Sequence, residues 1–318
     1  MKIKMIYSPI CKMLGIEYPI FQGGMAHISD AYLAAAVSNG GGLGIISSAS
    51  GDCEWLEKQI DSAFSLTDKP FGVNVMLMSH NVDEVAELLA RKKVAVVTTG
   101  AGNAGKYIPL WKEAGIKVIP VVPSTTLAKM AERAGADAVI AEGGESGGHV
   151  GDLTTMALVP QVCDAVSIPV IGAGGIADGR GVAAAFMLGA QGVQLGTRFL
   201  SAEECHVSRV YKDKVLKAND TATIVTGKRL GHPVRSIKTV FSRNLAKAEY
   251  SQISNEELDA MAVGSLRAAV YDGDEKNGCF LAGQIAGMVN KEQKAAEIIG
   301  EIFSEAETIL NGAEKWVK

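Results

Sequence analysis

Between Tyr18 and about Leu200 the chain alternates eight times between a short aliphatic run and an amphipathic, alanine-rich stretch. The runs fall at 19–22, 43–46, 72–76, 95–98, 117–121, 138–141, 170–172 and 192–195. Their apolar residues are consecutive rather than alternating, as in parallel strands buried on both faces. The stretches between them begin near Ser29, Asp52, Val82, Ala104, Ser124, Thr155, Gly179 and Ala202 and read as helices. Eight β-then-α units imply an α/β fold, the (β/α)8 TIM barrel. A doubly wound sheet would have fewer units and one glycine fingerprint after its first strand, whereas here glycine motifs follow several strands. After Ala202 the rhythm changes. Residues 206–278 carry more charge and few strand-like runs, and read as a small, mainly helical excursion over the barrel mouth. Residues 282–309 are amphipathic again and are expected to return to the barrel. The expected organisation is a barrel domain at 1–205 and 279–318, interrupted by a helical lid or substrate subdomain at 206–278.

A chain of 318 residues, 47% hydrophobic, can fill such a core. The net charge of −4 gives no basis for general nucleic-acid binding. The five cysteines, Cys11, Cys53, Cys163, Cys205 and Cys279, are scattered and form no CxxC pair. That pattern suits a reducing, cytoplasmic setting and argues against a disulfide frame or a zinc site, so no metal ligands are expected. No signal peptide or membrane-spanning run is visible.

In a barrel of this kind, reactive residues gather where strands end. The seventh run ends in Gly172-Ala173-Gly174-Gly175 and the eighth in Gly196-Thr197. Two glycine loops after the last two strands form the usual phosphate site, where backbone N–H groups approach the anion closely and the Thr197 hydroxyl adds a hydrogen bond. The alternative is tight turns with no ligand. The first run ends in Gly23-Gly24-Met25, and Asn74 sits inside the aliphatic third run. A buried amide needs a partner, either a polar layer within the barrel or a flat heterocycle such as an isoalloxazine, against which Gly24 and Met25 could lie. Met25 can equally be a core methionine.

The sixth run leads into Glu142 and a loop in which glycine fills five of the nine positions 143–151. No helix or strand is expected to tolerate so much glycine, so the loop is shaped by its backbone. Its Gly148 precedes His149, an imidazole able to donate a proton or hydrogen bond near neutral pH, or merely to cap loop carbonyls. His27 and His232 are weaker candidates. Glu142 can meet a flavin or ribityl edge, or pair with a lysine or arginine. No HExxH or GxSxG motif occurs, and no cysteine ends a proposed strand, which disfavours hydrolysis and thiol catalysis.

These segments carry a family likeness. The stretches at 18–25, 69–74, 98–102, 141–149, 171–178 and 193–199, with 231–235 and 282–287, resemble the FMN-dependent enoyl-acyl carrier protein reductase II family. Nitronate monooxygenases share the barrel, the glycine-glycine-histidine loop and the segment like 196–199. The block at 119–123 and the segment at 282–287 look more like the reductase branch. Ser146 stands where many relatives have alanine. The resemblance implies non-covalent FMN, NADH or NADPH as co-substrate, an enoyl thioester on acyl carrier protein as substrate, and a role in bacterial type II fatty-acid synthesis. It places the family histidine on His149 and the phosphate loops on Gly174, Gly175, Gly196 and Thr197. A homodimer is expected from it, and so is a candidate monovalent cation, K+ or NH4+, on which the family often depends. The alternatives are oxidation of alkyl nitronates on the same scaffold, or a flavin-binding sensor without turnover.

A final feature lies in the excursion, where Lys228, Arg229, Arg235, Lys238 and Arg243 fall within 228–243 with no acid among them. The run reads as a dock for an acidic carrier protein, a site for a dinucleotide phosphate, or a solvated face.

Overall fold

The computed structural model describes residues 6–316. Eight strands form one parallel sheet: β1 (Ile20–Gln22), β2 (Gly44–Ser47), β3 (Phe71–Met76), β4 (Val96–Gly100), β5 (Lys117–Val122), β6 (Val139–Glu142), β8 (Val170–Ala173) and β9 (Gly192–Leu195), with the two-residue β7 (Gly148–His149) outside it. β1 pairs with β9, and a parallel bridge between Phe21 and Leu43 joins it to the β2 side, so the sheet closes on itself as a barrel. Phe21, Leu43, Ile45, Val96, Ile119, Ile140 and Ile171 pack together with Ile10, Leu14 and Ile16. The short helix α1 (Pro9–Leu14) and the residues after it therefore plug one end of the barrel. A second apolar layer lies between the strands and the surrounding helices.

Those helices are α2 (Ala31–Asn39), α3 (Cys53–Leu66), α4 (Val82–Lys92), α5 (Ile108–Glu113), α6 (Thr125–Arg133), α7 (Thr155–Ala165) and α8 (Gly179–Met187). Their starts follow local chemistry. Asp30, Asp52, Ser124 and Asp178 each accept a backbone N–H of the first turn of the helix that follows. The eighth helix is not where the sequence puts it. After β9 only a 3₁₀ turn forms (Thr197–Ser201), and the chain then leaves the barrel. The outer position between α8 and α2 is filled instead by α13 (Ala295–Asn311), which buries Ile298, Ile299, Ile302 and Phe303.

The excursion contains α9 (Arg209–Leu216), α10 (Val240–Ala248), α11 (Asn255–Ala262) and α12 (Ser265–Arg267), which runs into a π turn (Ala268–Asp272). It also contains two strands that its composition did not suggest, β10 (Thr223–Thr226) and β11 (Val234–Ile237). These pair antiparallel, and β11 then takes β7 as a third strand, with Val234 opposite His149 and Arg235 opposite Gly148. The expectation that 143–151 holds no strand is thereby corrected. Glycine lowers strand propensity, but a partner edge from far along the chain supplies the hydrogen bonds.

Helix α2 lies so close to β2 that a Cβ on Gly44 would stand 1.8 Å from the Ala34 carbonyl oxygen. Gly44→Ala should lower the free energy of unfolding by about 3 kcal/mol or leave the chain insoluble. Gly300 lies inside α13, where a methyl group would meet nothing within 4 Å. Gly300→Ala should therefore raise stability by about 0.5–1 kcal/mol. Urea unfolding of the two variants measures both.

Candidate active site

The eleven residues favoured from the sequence border one cavity of about 270 Å³ at the ends of the strands, while the weaker candidates His27 and His232 are not among its wall residues. The eleven are Gly24, Met25, Asn74, Glu142, Gly148, His149, Ala173, Gly174, Gly175, Gly196 and Thr197. Specific interactions place them there. The β1 loop is shaped by buried Gln22, whose Nε2 donates to Ser29 Oγ at 2.8 Å, while that hydroxyl accepts the Met25 N–H at 2.8 Å. Gly24 must be glycine, since a Cβ there would lie 2.3 Å from the Asn74 Cβ. Asn74 finds part of its partner inside the protein, where Thr98 Oγ1 donates to its Oδ1 at 3.0 Å. Its Nδ2 makes no hydrogen bond among the described residues and borders the cavity.

The two phosphate-type loops adjoin. Gly174 and Gly175 have φ of +86° and +71°, the left-handed region that a side chain disfavours. No acceptor among the described residues is found for the N–H groups of Gly175 and Gly196. Thr197 differs from expectation in one respect. Its hydroxyl oxygen accepts the Gly283 N–H at 2.8 Å, which fastens the segment before α13 to the site and leaves the hydroxyl proton to donate.

Glu142 has no cationic partner among the described residues. Ser146 Oγ donates to its Oε1 at 2.9 Å. Burial pushes the carboxyl up to about 7, and the Ser146 hydrogen bond offsets only part of that. The pairing with lysine or arginine considered from the sequence does not occur. Glu145, which the sequence did not single out, caps α7: both carboxylate oxygens accept the Thr155 N–H, at 3.0 and 2.9 Å. Thr154, the ordinary capping position, makes no side-chain cap.

His149 is accessible at the cavity mouth on β7, with the ring of His232 at 6.4 Å between centroids. Crowding by neighbouring atoms and then His232 lower its pKa below the ordinary histidine value. Arg235 holds the loop that carries it, donating through Nε and Nη2 to the Gly144 carbonyl at 3.3 and 2.9 Å. Sequence reasoning also missed Ser47, Ala101, Gln194, Leu281, Gly283 and Ile285 as cavity walls. The only signal for Leu281 and Gly283 was their place in the late segment at 282–287 and its neighbour. Ile285 lies in that same segment, Ala101 and Gln194 lie in the stretches at 98–102 and 193–199, and Ser47 is an ordinary residue brought in by strand register.

This wall fits a flavin mononucleotide. Unpaired glycine N–H groups and a threonine hydroxyl proton suit the phosphate, and the free Asn74 amide suits a ring edge.

The profile of the Nitronate monooxygenase family matches residues 7–91 and 77–305, and the chain belongs to that family. FabK from Thermotoga maritima is 49% identical, with a TM-score of 0.96, over 98% of this chain and 100% of that one. A Mycobacterium tuberculosis protein, (3aS,4S,5R,7aS)-5-hydroxy-7a-methyl-1-oxo-octahydro-1H-indene-4-carboxyl-CoA dehydrogenase, is 35% identical, over 98% of this chain and 99% of its own length. A probable nitronate monooxygenase of Staphylococcus aureus (strain JH9) is 35% identical, over 86% of this chain and 90% of its own length.

Glu142 generates a pH prediction. The folded protein keeps the carboxyl protonated up to about 7, against an ordinary glutamate value of 4.5. The fold therefore binds the extra proton across that window, and rising pH through it destabilises the protein relative to the unfolded chain. Glu142→Gln removes this loss. In melts of flavin-free protein, the variant's melting temperature minus the wild type's should climb between pH 4.5 and 7 and level off above. A flat difference would count against a raised carboxyl.

Proposed function

We propose that the protein is an FMN-dependent enoyl-acyl carrier protein reductase, using NADH or NADPH to reduce the trans-2 double bond of the thioester. The single observation that carries this reading is the 49% identity to FabK along the whole of both chains, with the strand-end cavity intact. Bound FMN supplies hydride transfer in both directions, from nicotinamide and to the enoyl carbon. The protein's residues supply the rest. Gly174, Gly175, Gly196 and Thr197 bind the phosphate, and Gly24, Met25 and Asn74 flank the ring, with Glu142, Gly148 and Ala173 completing the wall. Glu142, largely uncharged below neutral pH, avoids placing a full negative charge beside it.

His149 stands at the mouth, where a thioester must enter. As negative charge grows on the thioester oxygen, an N–H aimed at it stabilises the transition state, and one such donor is worth ~3 kcal/mol. The lowered pKa keeps the ring mostly neutral at neutral pH, a form that still donates one N–H. Residues 206–278 then act as a substrate subdomain, since β11 is bound to the histidine strand. Among the described residues no helix is long and apolar enough to cross a membrane. A cytoplasmic location, a homodimer, acyl carrier protein as partner and a K+ or NH4+ requirement complete the proposal.

Steady-state oxidation of NADH and NADPH, each with and without an enoyl thioester, tests the reading. Reductase activity requires rapid oxidation that depends on the thioester. Flavin reduction by an alkyl nitronate without nicotinamide would instead favour the nitronate reaction. Gly196→Asp, at a position where a Cβ would meet nothing closer than the Met25 Sδ at 3.6 Å, puts a carboxylate where the phosphate binds and should purify folded with most of its flavin lost, read from absorbance. His149→Ala should keep flavin and melting temperature while turnover falls about a hundredfold; near-normal rates in both half-reactions would remove His149 from the chemistry.

A further inference from the structure

A second cleft, of about 580 Å³, lies in the excursion. It shares no wall residue with the flavin cavity. Lys214, Lys217, Lys238 and Arg243 face it, with Asp213 and Glu275. Both acids are matched within the cleft, Lys217 to Asp213 at 3.3 Å and Lys214 to Glu275 at 2.7 Å. Lys238 meets no carboxylate among the described residues, its Nζ donating to the Thr221 carbonyl at 2.6 Å. Arg243 makes no side-chain hydrogen bond or ion pair among the described residues. The basic run seen in the sequence thus divides. Arg229 is engaged with Asn255 and two carbonyls, and Arg235 with Gly144, so both serve the fold. Lys238 and Arg243 face outward.

Helix α10 extends the same surface. It buries Phe241, Ser242 and Leu245. Val240, Arg243 and Lys247, spaced three and four apart, share the opposite side. Val240 is 60% exposed, and no acid occurs in 240–248. An apolar residue between cations is suited to an acidic helix, which needs both charge and a little apolar contact. One strand links this surface to the chemistry. Val234 of β11 pairs with His149, and Ile237 of the same strand lines the cleft, about 10 Å further along at strand rise.

Resting on the reductase reading, we propose that this cleft and the outer side of α10 dock the acidic carrier protein that presents the enoyl thioester. A folded carrier cannot enter a cavity of about 270 Å³, so it must sit beside the mouth and feed its thioester inward on a flexible arm. The chain's net charge of −4 opposes an acidic partner in general, so a local basic face sets where it lands.

The test compares wild type with Lys238→Glu/Arg243→Glu and, separately, Val240→Asp, on enoyl-carrier protein, enoyl-CoA and enoyl-pantetheine. Flavin content and melting temperature confirm that the variants are folded. The double variant should raise KM for the carrier substrate about tenfold or more, with little change for the other two. The difference should shrink as salt rises. Fluorescence anisotropy of labelled carrier protein should show the same loss of binding. Equal responses to carrier and pantetheine substrates, or no response to either, overturn the proposal. An enoyl-CoA response as large as the carrier's also overturns it, by pointing to phosphate recognition rather than a protein dock. If no enoyl thioester is turned over by wild type, the reductase reading fails; the dock is then judged by anisotropy, where unchanged binding on charge reversal overturns it.

Discussion

The site depends on backbone packed directly against backbone where three segments meet. A Cβ on Gly147 would come within 2.6 Å of the Ala282 carbonyl carbon, one on Gly174 within 2.7 Å of the Gly143 carbonyl oxygen, and one on Gly283 within 2.7 Å of the Glu145 carbonyl oxygen. No side chain fits at these contacts. Hydrogen bonds then lock the approach, with Gln284 N–H donating to the Glu145 carbonyl and Gly283 N–H to Thr197. The loop after β6, the phosphate-type loops after β8 and β9, and the segment returning from the excursion therefore form one unit. The cavity wall, the cap of α7 and the position of His149 all follow from that unit.

The same contacts tie the excursion to the barrel. β11 borrows the Gly148–His149 strand, and Arg235 holds the carbonyl of Gly144. His149 consequently belongs to a small sheet rather than to a free loop. Backbone hydrogen bonds thus join the excursion directly to the strand that carries this imidazole. The two ends of the barrel differ: α1 plugs one with isoleucine and leucine, and the other holds polar loops and the cavity.

The electrostatics of the cavity are quiet. Glu142 is held toward its neutral form by burial, and His149 is held toward neutral imidazole by crowding and by His232. A cavity with few formal charges leaves N–H dipoles as its main donors to an anion.

Much of this was legible in the chain. The eight aliphatic runs pointed to the barrel because continuous apolar strands need a sheet covered on both sides, and eight β-then-α units with glycine motifs after several strands separate it from a doubly wound sheet. Glycines at strand ends, with Asn74 and Glu142 beside them, identified the cavity wall because such residues are costly in a core unless a ligand or close backbone requires them. What the chain could not reveal were contacts between residues far apart in sequence. That α13 rather than a helix near Ala202 completes the ring depends on where the excursion releases the chain. That Asn74 leans on Thr98, Glu142 on Ser146, and α7 on Glu145 depends on register and loop path. That the glycine loop contains a strand depends on β11, whose residues 234–237 show weak pattern alone and gain their pairing only when the fold brings an edge to them. Local composition records what a segment can do; the partner that decides it is set by the closed sheet and by the return path of the chain.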